Sequence, residues 1–207
     1  MRFPVYFLPL EKELAPIISY LRGRVLNAGC GNRDVSEFLR AHYATHVDNC
    51  DVQSSLPNAI ICDLQNIPHE DCSYDAILCN AVLEHLPNPI RAMKEFHRLL
   101  KPSGALIVSV PFLQPFHADP HDFRRYTYSG LIQLGELTGF RIIRIDALHT
   151  MAQTIGWLVW AYFEERRSLV GKLLSWLPIY LASRLFTKPM KHQMRTANSF
   201  RAVMEKR

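Results

Sequence analysis

Val25-Leu-Asn-Ala-Gly-Cys-Gly31 ends the apolar run Arg24–Ala28 on two glycines one residue apart. A short apolar run bounded by glycine reads as a buried strand. Val35, Phe38, Leu39 and His42 then recur at i, i+3, i+4 and i+7, the helical period. The unit is strand, glycine turn, helix. Glycines at such a turn let the backbone approach a ligand closely. A dinucleotide fingerprint would need GxGxxG, but the last glycine position holds Asp34, next to Arg33. A pyrophosphate would meet a carboxylate there, which disfavours a nicotinamide or flavin cofactor. A purely structural tight turn stays open at this point.

Outward from this unit the chain alternates strands with helices. Residues 11–22 suit a short amphipathic helix before it. Ala44–Val47 reads as a second strand ending in Asp48, Asn58–Cys62 as a third ending in Asp63, and Tyr74–Cys79 as a fourth. Asn88-Pro89 supplies an N-cap and a first-turn proline for a helix with Ile90, Met93, His97 and Leu100 on its inner face. Lys101-Pro-Ser-Gly104 stops it, and Ala105–Val110 is the next strand. Tyr128–Thr138 follows as a helix closed by Gly139. Phe140–Leu148 and Ser199–Glu205 both alternate, the latter as a final edge strand. Such a pattern implies a mainly parallel sheet covered on both faces, with ligands at the carboxyl ends of the strands. Asp48, 19 residues after Gly29, then suits a carboxylate accepting ribose hydroxyls, with Asp51 as the fallback if the strand runs longer. Asp63 suits an adenine amino group. Taken singly, each Asp reads equally well as a turn cap.

Val25–Gly31, Val47-Asp48, Cys62-Asp-Leu64, Tyr74-Asp-Ala-Ile, Ala81-Val-Leu-Glu-His-Leu86 and Leu99-Leu-Lys-Pro-Ser-Gly-Ala-Leu106 resemble the successive motifs of class I S-adenosylmethionine-dependent methyltransferases. The subgroup is the broad one of ubiquinone- and menaquinone-pathway and glycan-cluster enzymes. The resemblance covers residues 20–148 and the last strand. It implies an α/β, Rossmann-like three-layer sandwich: a seven-stranded, mostly parallel sheet with the last strand antiparallel. It also implies S-adenosyl-L-methionine as cofactor. Gly29 and Gly31 would line its methionine end, Asp48 its ribose, Asp63 and Leu64 its adenine, and Asn80 the sulfonium side. Two positions depart from the family pattern: Asn27 stands for the usual acid, and Arg33 for the usual third glycine. Asn27 retains an amide oxygen for the cofactor's ammonium. These departures keep one non-enzymatic alternative in view, a cofactor-binding scaffold.

Methyl transfer to a hydroxyl requires an aligned nucleophile and a route for its proton. Glu84-His85 follows the fourth strand, and His85 is a candidate base against a packing role. The loop after the fifth strand, Pro111–Thr127, gathers His117, Asp119, His121, Asp122, Arg125 and Tyr126. His121 is the second candidate base. His117, Asp119, Asp122, Arg125 and Tyr126 are candidate acceptor contacts. Arg124 or Arg125 suits an anionic acceptor group unless Asp122 takes it up. No metal site is expected, because Pro115 and Pro120 prevent a helix from aligning His117 with His121.

The remaining features bound the partners. The chain of 207 residues is 48% hydrophobic and 21% charged, so it is neither disordered nor low in complexity. The formal charge of +5 resides in residues 187–207, where Lys188, Lys191, Arg195, Arg201, Lys206 and Arg207 face only Glu205. A short basic tail reads as solvated or as a contact with anionic lipid, not as a nucleic-acid face. Five cysteines without a CxxC pair point to a reducing, cytoplasmic setting. Residues 151–186 form an apolar insertion in a single domain spanning 1–207. Its 13-residue run over 151–163 would reach about 20 Å as a helix, against about 30 Å for a bilayer core. A lid, a peripheral membrane contact and a homodimer interface are its three readings. The acceptor is expected to be a small molecule, a glycan precursor or a lipid-linked hydroxyl.

Overall fold

The computed structural model describes residues 3–187 and 194–207. Seven strands form one sheet: β1 (Gly23–Ala28), β2 (Ala44–Asp51), β3 (Ile60–Ile61), β4 (Tyr74–Asn80), β5 (Leu100–Pro111), β6 (Phe140–Leu148) and β7 (Ser199–Lys206). Their order is β3-β2-β1-β4-β5-β7-β6. β1 to β5 pair in parallel, and β7 lies antiparallel between β5 and β6. β7 is therefore an interior strand, not the expected edge; β6 is the edge. This also removes Arg201 from the solvated tail. Its side chain is 4% exposed, donates to the Glu13 carbonyl and pairs with Asp146 at 3.0 Å. Lys188 and Lys191 lie outside the described residues, whereas Arg195 is exposed.

Alternation along β1 explains the two cores. Leu26 and Ala28 face one side, with Ile77, Cys79, Leu106 and Val108. There α3 (Pro89–Leu99) contributes Ala92, Met93, Phe96 and Leu99, and α4 (Tyr128–Leu137) contributes Leu131 and Leu134. Val25 faces the other side, with Ala76, Leu78, Ile107 and Val203. That face is covered by α1 (Leu10–Leu14), a 3-10 turn over Ala15–Tyr20, and α2 (Ser36–Arg40). The expected helix over 11–22 is thus split at the N-terminal side of Pro16, whose ring cannot accompany a regular helical hydrogen bond. Residues 101–104 bulge out of β5: Tyr74 pairs with Leu100, but Ala76 pairs with Ala105.

The segment between β6 and β7 is a helical hairpin, α5 (Met151–Glu165) and α6 (Leu169–Leu185). A Thr150–Gln153 capping box starts α5. Its inner face joins the N-terminal segment in a third small core of Val5, Trp160 and Ile179, flanked by Phe7, Trp157 and Trp176. Among the described residues no helix is long and apolar enough to cross a membrane.

Candidate functional site

The glycine turn sits at the carboxyl edge of β1. Gly29 has φ +75° and Gly31 φ +51°, the left-handed region that side chains with a Cβ disfavour. A Cβ on Gly29 would run into Val82, while one on Gly31 would meet nothing within 4 Å. Gly31 thus borders open space that its missing side chain keeps clear. The turn is held by β2: Gly29 N and Cys30 N donate to the Cys50 carbonyl at 2.8 and 3.1 Å, and Gly31 N donates to Asp51 Oδ2 at 2.8 Å. Asp51 Oδ1 accepts from Gln53 N at 2.9 Å. A carboxylate has about four lone-pair sites, so Asp51 retains capacity at the strand end.

Asp48 is the first correction. β2 runs three residues beyond it, so Asp48 lies within the strand, paired with Leu26 of β1. Its Oδ2 accepts from Arg24 Nε and Nη2 at 3.0 and 2.9 Å and from the Tyr74 hydroxyl at 2.9 Å; its Oδ1 faces His46 Nε2 at 3.0 Å. Burial raises the carboxyl pKa, but hydrogen bonds from Tyr74, His46 and Arg24 outweigh it and hold Asp48 below the usual carboxylate range. A carboxyl lowered in the folded state stabilises the protein above its unfolded pKa, and that contribution is lost as pH falls through the folded value. Asp48→Ala is therefore expected to lower the melting temperature at neutral pH and to flatten its fall on acidification. Leaving the Tyr74 hydroxyl unpaired costs about 1–3 kcal/mol, or roughly 2–4 °C per kcal/mol at this size. Calorimetric melts at pH 7 and pH 4 check this; equal melting curves would show that the pair contributes nothing.

The other cofactor candidates divide between core and edge. Asn27 is buried, donating through Nδ2 to Asn49 Oδ1 at 2.8 Å and to the Arg33 carbonyl at 3.4 Å. Asp34 accepts from Ser36 N and Asn49 Nδ2, which anchors the start of α2. Asp63 is two residues past β3, exposed, and accepts from Gln65. Leu64 is buried in the core, and Asn80 is the half-buried last residue of β4.

Beyond β4 the chain makes a 3-10 turn, Leu83–His85. The Pro111–Thr127 loop is fastened onto it. Phe123 N donates to the Glu84 carbonyl at 2.9 Å, Tyr126 OH to the Leu83 carbonyl at 3.2 Å, and His85 Nδ1 to the His121 carbonyl at 2.5 Å. Arg124 donates to the Leu86 and Pro87 carbonyls. This docking groups His85 with His117, their ring centres 5.4 Å apart, over Glu84. Glu84 Oε1 is 3.9 Å from His85 Nε2 and 3.8 Å from His117 Nε2. The Glu84 side chain is 0% exposed, and neither carboxylate oxygen has a hydrogen-bond partner. Facing Glu84 raises the His117 pKa, against the lowering effect of burial. Trp157 of α5 lies against His117 with ring centres 5.9 Å apart, so the insertion forms one wall.

Several loop candidates are corrected by the same contacts. His121 offers its backbone carbonyl to His85, while its exposed ring packs on Phe123 at 5.4 Å. Asp122 grips Arg125 through both oxygens at 2.5 and 2.6 Å and accepts from His117 N at 2.8 Å. Arg125 next to it holds the Asp122 carboxyl at about 2. Tyr126 is 7% exposed in the core, and burial pushes its hydroxyl up to about 12. Asp122, Arg125 and Tyr126 are thus engaged in contacts that build the loop. Asp119 is exposed at the outer tip. Glu84 was missed as a site residue. It stands between Leu83 and His85, and no local pattern marks it as buried.

Residues 6–162 match a family model described as "Methyltransferase domain". The chain belongs to that family. It is an S-adenosylmethionine-dependent methyltransferase. A ubiquinone biosynthesis O-methyltransferase from Coxiella burnetii is 31% identical over 177 residues, covering 70% of this chain and 74% of that one. An S-adenosylmethionine-dependent methyltransferase from Archaeoglobus fulgidus superposes with TM-score 0.64 at 16% identity, covering 95% of this chain and 93% of that one. The [4+2]-cyclase SpnF superposes equally well, at 0.64 and 17% identity, covering 100% and 87%. The fold alone therefore does not dictate the reaction. The methyltransferase's open space beside Gly31 and the strand-end carboxylate of Asp51 fit the cofactor.

Proposed function

We propose that this methyltransferase acts on a hydroxyl of an amphipathic small molecule, of the lipid-linked or isoprenoid-tailed kind, held beside the Glu84–His85–His117 cluster, with Trp157 as an adjoining wall. One observation carries the reading. A buried carboxylate with two imidazoles lies beside the end of β4, and its wall is a helix whose opposite face is apolar and exposed. Similarity to the ubiquinone-pathway O-methyltransferase supports an oxygen acceptor. Bound S-adenosylmethionine supplies an electrophilic methyl group on a sulfonium. The chain's residues do the rest. Gly29, Gly31 and Asp51 seat the nucleoside and methionine ends, and the Asn27 amide oxygen suits the ammonium. The cluster orients the hydroxyl and offers its proton a destination, and Trp157 and the loop exclude water.

The test is a screen of phenolic, glycan and lipid-linked hydroxyl acceptors with an isotope-labelled methyl donor, read by mass spectrometry. Label on a hydroxyl oxygen is the expected result. Label only on nitrogen or carbon overturns the oxygen assignment, and tight cofactor binding without turnover on any pool replaces it with the scaffold reading.

The outer face of the insertion favours a membrane surface as the place where that acceptor is met. Leu169, Leu173, Leu177, Leu181 and Leu185 recur every four residues along α6 and are all exposed, as are Ile155, Leu158 and Tyr162 on α5. Exposed Arg166, Arg167 and Arg184 flank them, with exposed Glu165 beside the first two and Glu164 paired with Lys172. An apolar stripe rimmed by cations suits the boundary of an anionic bilayer. The protein is expected to co-sediment with anionic vesicles, less so at high salt. Each leucine contributes roughly 1 kcal/mol or more on burial, so the Leu173→Ser, Leu177→Ser, Leu181→Ser triple variant should bind at least about tenfold more weakly. A concentration-dependent dimer lost in the same variant, with no vesicle binding by the parent, would assign the face to a second copy instead.

A further inference from the structure

We propose that Glu84, His85 and His117 form a binding site for one divalent transition metal of the zinc class, open toward the acceptor space. The proposal rests on the placement of the acceptor at this cluster and adds an ion to it. The three ligand atoms, Glu84 Oε1, His85 Nε2 and His117 Nε2, lie within 4.8 Å of one another. They come from two loops fastened together, so the set is assembled before any ion arrives.

Hydrogen bonding fixes what the ligand atoms present. A carbonyl oxygen only accepts. His85 Nδ1, 2.5 Å from the His121 carbonyl, therefore donates to it, and His117 Nδ1 lies between the Pro115 carbonyl at 3.0 Å and Arg125 Nη2 at 3.3 Å. Each Nε2 then faces Glu84 Oε1, at 3.9 Å from His85 and 3.8 Å from His117. Backbone carbonyls at the far nitrogen are the usual orienting partners of metal-bound histidines. The Glu84 carboxylate has no donor on either oxygen although it is fully buried. An unpaired buried charge is costly, and a cation held between the carboxylate and the two Nε2 atoms would remove that cost. Arg125 does not meet this need. Its guanidinium reaches His117 only from the Nδ1 side, at 3.3 Å, and is neutralised there by Asp122.

The donor set selects the ion. Two imidazoles and one carboxylate suit zinc and its first-row neighbours, whereas calcium and magnesium take oxygen ligands. Bonds of about 2.0–2.2 Å to a tetrahedral ion put ligand atoms roughly 3.3–3.5 Å apart. The two Glu84 distances of 3.8 and 3.9 Å need closing by about half an ångström, and the histidine pair, within 4.8 Å, by up to about 1.5 Å. Three protein ligands leave a coordination position free, the arrangement of catalytic rather than structural zinc sites.

The experiment uses the full chain, freed of metal by a chelator, and titrates Zn²⁺ by calorimetry and Co²⁺ by absorption. One Zn²⁺ per chain is expected, with affinity lowered at least about 100-fold in Glu84→Gln and in His117→Ala. The Co²⁺ spectrum should show weak d–d bands without sulfur charge transfer, which separates this site from the free cysteines. Calorimetric binding of S-adenosylmethionine, unchanged in both variants, shows that each is folded. Binding that survives both substitutions, thiolate bands, or no Zn²⁺ binding tighter than millimolar overturns the site. Methyl transfer is scored separately, so a metal-binding chain that methylates no hydroxyl overturns the acceptor reading and leaves the site standing.

Discussion

Replacing Asp51 with alanine is expected to weaken S-adenosylmethionine binding about 10- to 150-fold, whereas Asp48→Ala leaves the affinity nearly unchanged. Asp51 is the last residue of β2 and already anchors Gly31 through its backbone N–H at 2.8 Å. A ribose seated at this edge would bond to the same carboxylate. Hydrogen bonds to a charged group contribute about 1.5–3 kcal/mol, which gives the stated range. Loss of the Gly31 anchor adds to the effect by loosening the turn. Asp51→Asn keeps an acceptor and should lose less. Calorimetry on the three variants, with melting temperatures alongside, gives the answer. If Asp48→Ala is the variant that loses affinity, the cofactor is not seated at the end of β2 and the site must be rebuilt.

That β2 ends at Asp51 and not at Asp48 shows which information was local and which was not. The glycine turn, the α3 cap and β6 follow from side-chain period and turn chemistry within a few residues, and the structure reproduces them. Where β2 stops does not. Val47-Asp48 and Cys50-Asp51 both read as strand ends, but pairing with Ile60 and Ile61 of β3 carries the strand to Asp51, while the buried Tyr74 hydroxyl reaches Asp48 across the sheet. β7 poses the same difficulty. An arginine in its centre marks an edge strand, yet Arg201 is accommodated inside by the Glu13 carbonyl and Asp146, 188 and 55 residues away. In the acceptor loop, His117 and His121 are equivalent by spacing. Only the docking of Phe123 and His121 backbone onto the Glu84–His85 turn decides which ring meets Glu84. Contacts between residues distant in the chain settle each of these cases, and no single-sequence pattern encodes them.

Asp122→Ala should leave cofactor affinity intact while lowering turnover at least about 100-fold. The Asp122 side chain is 1% exposed and holds three donors: both terminal nitrogens of Arg125 and the backbone N–H of His117. It is the bond that fixes His117 over Glu84. Removing one partner of a buried ion pair costs roughly 3–5 kcal/mol. Arg125 is a quarter exposed and still donates to the Gln114, Pro115 and Arg124 carbonyls, which places the cost at the lower end, about 3 kcal/mol. The loss falls on residues 112–127, since the glycine turn and Asp51 belong to β1 and β2 and share no contact with this pair. A displacement of about 1 Å at a reacting group can cost 100-fold in rate, and the variant removes the acceptor of the His117 backbone N–H. Hydrogen exchange should accordingly speed up at the Phe123 and Tyr126 amides, whose partners are the Glu84 and Pro111 carbonyls, and remain slow in β1. Full turnover in a variant with a loosened loop would show that His117 does not position the acceptor. Unchanged exchange and stability would show that the loop is held by its backbone contacts to Leu83, Glu84 and Leu86, with the Asp122–Arg125 pair contributing nothing.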